Sequence, residues 1–139
     1  MGLDNGIYWK PRNNGEKNIA FPDYVEFSYD SVENEYEVCC WRKCWGLRGN
    51  ILDIIDNNAK VKIDGEDYGY ELTRVDLIKI QNILFNYFKH PDWWDEENNF
   101  WSFNDIKECL AQNIVNLGWM IKYMRMDNPM ALVYFIDSY

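Results

Sequence analysis

Apolar and polar residues alternate along two neighbouring stretches in the first third of the chain, DYVEFSYD at 23–30 and ENEYEVCC at 33–40. A period of two places successive side chains on opposite faces of a β-strand, and the short gap between the stretches predicts a hairpin. One face of the second strand carries a row of glutamates: Glu33, Glu35 and Glu37. The opposite face carries Tyr36, Val38 and Cys40.

Three later segments have apolar residues spaced at three and four positions, which is the period of an α-helix with one buried face. The predicted helices extend from Trp41 to about Asn57, from Thr73 to Lys89, and from Ser102 to just before Asn128. The second and third helices open on capping-box patterns, in which a Thr or Ser and an acidic residue three positions later bind free backbone N–H groups.

The remaining strands are predicted over residues 2–9, in a second hairpin over 59–72, and over 130–136. The second hairpin has Asp64-Gly65 in its turn, and the last stretch, MALVYFI, is apolar on both faces and so predicts a strand inside a sheet. Strands and helices in this mixed order predict one α+β domain over residues 1–139. We expect a largely antiparallel sheet packed against two or three helices, with the C-terminal strand buried in the sheet.

Composition limits the classes of function. Hydrophobic residues make up 47% of the 139 residues and aromatic residues 17%, which is enough for a real core and argues against intrinsic disorder. The 23 acidic residues outnumber the 14 basic ones, and the formal net charge of -9 argues against binding to a phosphate backbone. This charge favours a basic partner, or solubility alone. The longest apolar run is too short to span a bilayer, so we expect no membrane partner.

The row of glutamates is the first candidate contact surface. Like charges on one strand face repel one another, so this face is either solvated or in contact with a basic surface. Glu26 and Asp30 from the paired strand extend the row into a patch of carboxylates with Glu33, Glu35 and Glu37. The alternative is the solvated face of a half-buried hairpin with a protected edge.

The second candidate is an acidic, aromatic loop, PDWWDEENNFW at 91–101. Its predicted contact residues are Asp92, Trp93, Trp94, Asp95, Glu96 and Glu97. Aromatic side chains anchor protein interfaces and acidic side chains select partners, so the loop predicts a protein contact. Two alternatives stay open: a solvated loop whose aromatics fold back on the core, and a glycosidase-like cleft, which needs two carboxylates at a defined separation.

Three of the four cysteines lie close together in the stretch EYEVCCWRKCWG. Cys40 and Cys44 are four positions apart where strand changes to helix, and they share a face if the first helical turn begins at Cys40. Zinc needs such thiolates to converge with further ligands, and Asp4, Cys109 or His90 are candidates to complete the set. The alternatives are buried structural thiols and, last, a reactive cysteine.

Two short motifs, MGLD at the N-terminus and WRK at 41–43, precede and follow predicted strands. In this arrangement they resemble a group of small proteins encoded mainly by bacteriophages and prophages, which begin Met-Gly-Leu-Asp before an apolar strand. In that group Trp-Arg-Lys also follows a strand and precedes an amphipathic helix. Asn5-Gly6 and the Cys-Cys pair before Trp41 depart from the usual pattern of the group.

The resemblance implies a context and no specific activity. Small acidic phage proteins often inhibit host defence, and anti-CRISPR proteins among them block a CRISPR effector nuclease, whose guide and target lie in positively charged channels. We therefore expect a non-enzymatic inhibitor that acts in the host bacterial cytoplasm on a basic protein such as a CRISPR effector nuclease. A zinc-stabilised interaction domain is the second hypothesis. An enzyme acting on a carbohydrate or small metabolite is the third.

Overall fold

The computed structural model describes residues 4–11, 19–42, 44–64, 67–94, 102–124 and 132–138. Within these residues the strands are β1 (Asp4–Lys10), β2 (Ser28–Asp30), β3 (Glu35–Arg42), β4 (Lys60–Asp64), β5 (Asp67–Glu71) and β6 (Leu132–Ser138). The α-helices are α1 (Trp45–Ile55), α2 (Arg74–Lys89) and α3 (Phe103–Tyr123), and a 3-10 turn follows α2 at Pro91–Trp93.

The six strands form one sheet in the order β2-β3-β1-β6-β5-β4, and every neighbouring pair is antiparallel. The C-terminal strand β6 therefore lies inside the sheet, between β1 and β5. Its residues Val133, Tyr134 and Phe135 are almost completely buried, as expected for a strand with a neighbour on each side. The structure confirms the predicted α+β fold and the place of the C-terminal strand.

One face of the sheet packs against the helices and forms the core. Ile7 and Trp9 of β1 point to this face, and they join the buried side chains of all three helices in one hydrophobic cluster. The Trp9 ring stacks on Tyr36 at a centroid distance of 4.9 Å and meets Tyr123 of α3 at 4.9 Å. Because side chains alternate along a strand, Gly6 and Tyr8 belong to the opposite face.

Local signals predict both limits of α2 and the start of α3 correctly, whereas α3 ends at Tyr123, earlier than the predicted end just before Asn128. The Thr73 hydroxyl accepts a hydrogen bond from the Asp76 backbone N–H, and the Asp76 carboxylate accepts one from the Thr73 N–H. Ser102 and Asp105 form the same reciprocal pair at the start of α3. Helix α2 ends at Lys89, two positions before Pro91, whose ring cannot continue a helix.

The predicted helix from Trp41 begins too early. Strand β3 continues through Trp41, which lies opposite Asn5 of β1 and is 2% exposed, and α1 begins only at Trp45. Where a strand leads directly into a helix, apolar residues at strand spacing are followed without a gap by apolar residues at helix spacing. The pattern alone therefore did not show where the strand ended and the helix began. Pairing with β1 decides the limit, and this pairing joins residues far apart in the chain.

A β-bulge in β3 reverses the predicted orientation of its cysteines. Ile7 pairs with Cys39 and the next residue, Tyr8, pairs with Glu37, so Val38 is the extra residue. Cys39 is consequently buried at 1% exposure and Cys40 is exposed. The prediction that Cys40 shares a face with Val38 is therefore wrong.

The first predicted hairpin strand is much shorter than 23–30, because only Ser28–Asp30 pairs with β3. The segment before it is bound instead to helix α3 through Asn116. The Asn116 side-chain oxygen accepts a hydrogen bond from the Glu26 N–H, and its amide group donates to the carbonyl oxygens of Glu26 and Val38. A helix side chain thus takes the place of a strand partner along the outer edge of β3.

Within the residues that the structure describes, no helix is both long enough and apolar enough to cross a membrane.

Candidate functional site

Two adjoining cavities on the sheet face opposite the helices form what we call the tyrosine–carboxylate groove. The central cavity, of about 250 Å³, lies over β1, β3 and β6 and is lined by Asn5, Gly6, Tyr8, Glu37, Cys40, Trp41 and Ile136. The edge cavity, of about 280 Å³, lies over β1, β2 and β3 and is lined by Tyr8, Ser28, Tyr29, Asp30, Glu35 and Glu37. Tyr8 and Glu37 border both cavities, so the groove is continuous across four strands.

Antiparallel pairing brings three carboxylates together in the edge cavity. Asp30 of β2 lies opposite Glu35 of β3, and Tyr8 of β1 lies opposite Glu37. Residues directly opposite each other share one face, with Cβ atoms about 4.5–5.5 Å apart. The groove therefore combines a carboxylate from β2, two carboxylates from β3 and an aromatic ring from β1.

Tyr8 forms the aromatic wall of the groove, and its ring packs on Tyr134, which is almost completely buried and lines neither cavity. Tyr8 and Tyr134 lie opposite each other in β1 and β6, and their rings stack with centroids 5.9 Å apart and planes 23° apart. The Tyr8 ring also reaches back over Gly6, where an added Cβ would lie only 2.8 Å from Tyr8 Cε2. Glycine at position 6 is therefore required for this position of the Tyr8 ring.

Tyr134 connects the aromatic wall to the acidic side of the groove. Its hydroxyl donates a hydrogen bond to Glu35 Oε2. Burial, followed by this hydrogen bond and the charge of Glu35, raises the pKa of Tyr134 well above its usual range. The Tyr134 hydroxyl therefore stays protonated at a higher pH than an ordinary tyrosine, and its hydrogen bond orients the Glu35 carboxylate.

The carboxylates of the groove are not neutralised by the basic side chains that the structure describes. Glu33, Glu35 and Glu37 make no ion pair with any of them, and Lys10, on the same face as Tyr8, makes none with these glutamates. The ion pair that is observed joins Arg48 Nη2 to Asp137 at 2.7 Å, on the helix-covered side of the sheet. Among the described side chains, the groove carboxylates thus have no cationic partner.

The structure separates the predicted acidic patch into parts. Asp30, Glu35 and Glu37 line the groove, and Glu33 lies in the adjoining turn, where Asp30 Oδ1 accepts hydrogen bonds from the backbone N–H groups of Val32 and Glu33. Glu26 is exposed, but its backbone is bound to α3, and it does not line the groove. The patch is therefore smaller than predicted and lies beside tyrosines.

The acidic, aromatic loop does not meet the groove in its described part. Asp92 is exposed, and Trp93 is half-exposed with its ring stacked on His90 at 4.4 Å. Trp94, which was predicted to contact a partner, is 4% exposed and belongs to the hydrophobic core. The other predicted contact residues, Asp95, Glu96 and Glu97, lie outside the described residues.

The described residues do not place Cys40 and Cys44 on the shared face on which the zinc hypothesis depends. Cys40 is exposed in β3, whereas Cys44 is buried just before α1, so the two do not share a helical turn. Asp4 pairs through its backbone with Arg42 and Ser138. Among the side chains that the structure describes, no group of three or more His, Cys, Asp or Glu is placed to hold a metal ion.

The cysteines have the character of structural thiols in several respects. No disulfide joins the four of them, and all four lie in described segments. Burial is the main cause that raises the pKa of the Cys39 and Cys109 thiols, which disfavours their reactive thiolate forms. The Cys39 Sγ lies 3.6 Å from the Asn113 carbonyl oxygen of α3, a weak hydrogen bond between sheet and helix.

Sequence reasoning missed Gly6, Tyr8 and Tyr134 as members of the site. The signal was the period of two, which places Tyr8 on the face opposite Ile7 and Trp9, and Tyr134 opposite Val133 and Phe135. The runs GIYW and LVYFI are apolar on both faces, so the pattern did not distinguish the core face from the groove face. Only the pairing of β1 with β6 and β3 does so.

No protein-family model, curated protein or solved structure matches this chain.

Proposed function

We propose that the protein is a non-enzymatic binding domain that docks the tyrosine–carboxylate groove onto a basic surface of another protein. The observation that carries the proposal is the convergence of Asp30, Glu35 and Glu37 beside Tyr8, without an ion pair to any described lysine or arginine. Acidic groups select a basic partner and accelerate its association, and a tyrosine supplies contact area at low entropic cost.

The turn between β2 and β3 supports a protein partner in particular. Val32 at its tip is 88% exposed and Tyr29, which borders the edge cavity, is 37% exposed. Apolar and aromatic side chains next to charged ones are typical of the anchors of protein interfaces. A net charge of -9 disfavours a nucleic-acid partner, because the phosphate backbone would be repelled.

We further propose that the partner is a defence protein of a bacterial host. The resemblance of the MGLD and WRK motifs to phage and prophage proteins supports an inhibitor of host defence that acts in the cytoplasm of the bacterial host. A CRISPR effector nuclease is the candidate target, since its nucleic-acid channels are positively charged. An anti-CRISPR protein of this kind would occupy such a channel through the groove and the β2–β3 turn.

The experiment tests a panel of purified CRISPR effector nucleases, each with its guide RNA, for binding and for inhibition of DNA cleavage. The double variant Glu35→Gln/Glu37→Gln removes two charges from the groove and keeps the shape of both side chains. The control, Asp53→Asn/Glu108→Gln, removes two charges from exposed helix positions. We expect inhibition to be lost with the groove variant, kept with the control, and weakened by added salt.

Different results reject different parts of the proposal. If the groove variant inhibits as well as the unmodified protein, the groove is not the contact surface. If no effector is bound or inhibited, but another purified basic protein binds through the groove, the anti-CRISPR assignment fails and the binding function stands.

A further inference from the structure

The geometry points to an arginine side chain as the group that the edge cavity holds, presented by an extended segment of the partner protein with an apolar side chain two residues away. This inference rests on the proposed function and names the ligand of the same groove. Its support comes from the charge of one cavity, the lining of the other, and the spacing between them.

The edge cavity is suited to a guanidinium group. Asp30, Glu35 and Glu37 border it from two strands, and the Tyr8 ring closes one side. A guanidinium is planar, forms bidentate hydrogen bonds with carboxylates, and stacks on aromatic rings. An ammonium group is more strongly hydrated and makes none of these planar contacts, so we expect arginine to bind more tightly than lysine.

The hydrogen bond from Tyr134 prepares the cavity for a cation. It holds Glu35 Oε2 in place, so part of the ordering of this carboxylate precedes binding. Asp30 is similarly held, because its Oδ1 accepts hydrogen bonds from the backbone of the β2–β3 turn. An incoming arginine therefore meets carboxylates that are already oriented.

The central cavity is suited to an apolar side chain. Ile136, Cys40 and the bare backbone at Gly6 contribute to its lining, and Glu37 is the one described carboxylate that borders it. A second cation would thus find fewer charges there than in the edge cavity, whereas an aliphatic side chain would be removed from water.

The spacing of the two cavities indicates an extended ligand. Gly6 lines the central cavity, Tyr8 borders both, and the two residues are two positions apart on one face of β1. Side chains two positions apart in an extended segment lie about 6.6 Å apart on one face, which is the same step. The ligand is therefore expected to read arginine, any residue, then an aliphatic residue.

The test is an NMR titration of the full chain with acetylated, amidated hexapeptides. The probe is Gly-Ser-Arg-Ser-Leu-Gly, and matched peptides replace its arginine by lysine or by uncharged citrulline, or its leucine by serine. We expect the probe to shift the backbone resonances of Gly6, Tyr8 and Glu37 at millimolar concentration. We also expect each replacement to weaken binding, with about a tenfold loss for citrulline.

Protein variants localise the binding. Glu37→Gln should weaken binding of the probe, whereas Glu108→Gln, which makes the same charge change on α3, should leave it unchanged.

Equal binding of the arginine and lysine peptides, equal binding to both variants, or no shift of groove resonances would each overturn the inference. If the peptides fail but an effector nuclease still binds in a groove-dependent manner, the proposed function stands and the arginine ligand is rejected. If the peptides bind but no protein partner does, the arginine ligand stands and the proposed function is rejected.

Discussion

Single residues decide the shape of the groove, and Gly6 is the clearest example. The Tyr8 ring lies over the position that a side chain at residue 6 would occupy, with Tyr8 Cε2 and Oη at 2.8 and 2.9 Å from an added Cβ and the Cys39 carbonyl oxygen at 3.0 Å. One methyl group would therefore displace Tyr8 from its stack on Tyr134.

Gly6→Ala and Gly49→Ala should change stability in opposite directions. At Gly6 the new methyl group meets a ring and a backbone oxygen, so we expect the free energy of unfolding to fall by about 1–3 kcal/mol. At Gly49, in α1, an added Cβ would meet no atom within 4 Å apart from its chain neighbours and the backbone of its own helix, and alanine should stabilise the helix by up to about 1 kcal/mol. Urea unfolding measures both values. A neutral Gly6→Ala would show that the Tyr8 ring is not held where the structure places it.

Tyr134 should make stability decrease at high pH. Its pKa is raised in the folded protein, so above about pH 10 the unfolded chain releases a proton that the folded chain keeps. The stabilisation is complete below the unfolded pKa and is lost as pH rises, by at most about 1.4 kcal/mol per pH unit for one proton. Tyr134→Phe should reduce this slope, to which the raised pKa values of Cys39, Cys109 and Tyr36 also contribute, in urea unfolding series between pH 9 and 11 (about one unit on either side of the ordinary tyrosine pKa). Tyr68→Phe, at an exposed site, should leave the slope unchanged. Identical slopes for all three proteins would contradict the assignment.

At the scale of elements, helix α3 protects the edge of the sheet. Strand β2 covers only the first part of β3, and the remaining backbone of β3 receives side chains from α3. Asn116 donates to the Val38 carbonyl oxygen, and Asn113 donates to that of Cys40. Both asparagines are buried on the inner face of the helix, so the edge of β3 is satisfied without another strand.

Asn116→Ala should destabilise the protein more than a surface asparagine substitution. It removes four side-chain hydrogen bonds, including one donated by Gln112, and leaves the Val38 carbonyl oxygen, in a buried setting, without its donor, so we expect a loss of about 2–4 kcal/mol. Asn82→Ala, at an exposed position of α2, is the matched control and should be neutral or slightly stabilising. Thermal and urea unfolding both test the difference. Equal effects of the two substitutions would mean that α3 does not protect the strand edge.

At the scale of the whole molecule, negative charge opposes stability and favours binding. The net charge of -9 makes the folded chain repel itself, and Asp30 and Glu35 lie directly opposite each other in the groove. In the unbound protein the carboxylates of the groove repel one another, which lowers stability. A cationic partner would remove this repulsion when it binds.

Glu37→Gln should therefore raise stability while it weakens binding. Removing one of the like charges in the groove should increase the free energy of unfolding by about a few tenths of a kcal/mol at low ionic strength, and the gain should shrink as salt screens the repulsion. Glu108→Gln lowers the net charge equally but lies outside the groove, so its gain should be smaller. Urea unfolding at two salt concentrations measures this. If Glu37→Gln destabilises the protein, the carboxylates of the groove are not in mutual repulsion.

The parts of this protein that the sequence alone determined are those that depend on near neighbours. Helices α2 and α3 begin where their capping boxes predict, because Thr73 with Asp76 and Ser102 with Asp105 act across a single turn. The β4–β5 hairpin was likewise predicted by its turn, and the interior position of β6 by its continuous apolar run.

Only the tertiary structure decided the order of the strands, the bulge at Val38 and the groove. Each of these depends on which residue of β1 faces which residue of β3 or β6, and those partners lie dozens of positions away in the chain. The bulge moved Cys40 from the predicted face to the groove, and pairing placed Tyr8 beside Glu37. Propensity and periodicity act over a few residues, whereas the register of the strands is decided by the packing of the whole sheet. The sequence therefore identified the acidic residues but did not predict their arrangement beside the tyrosines.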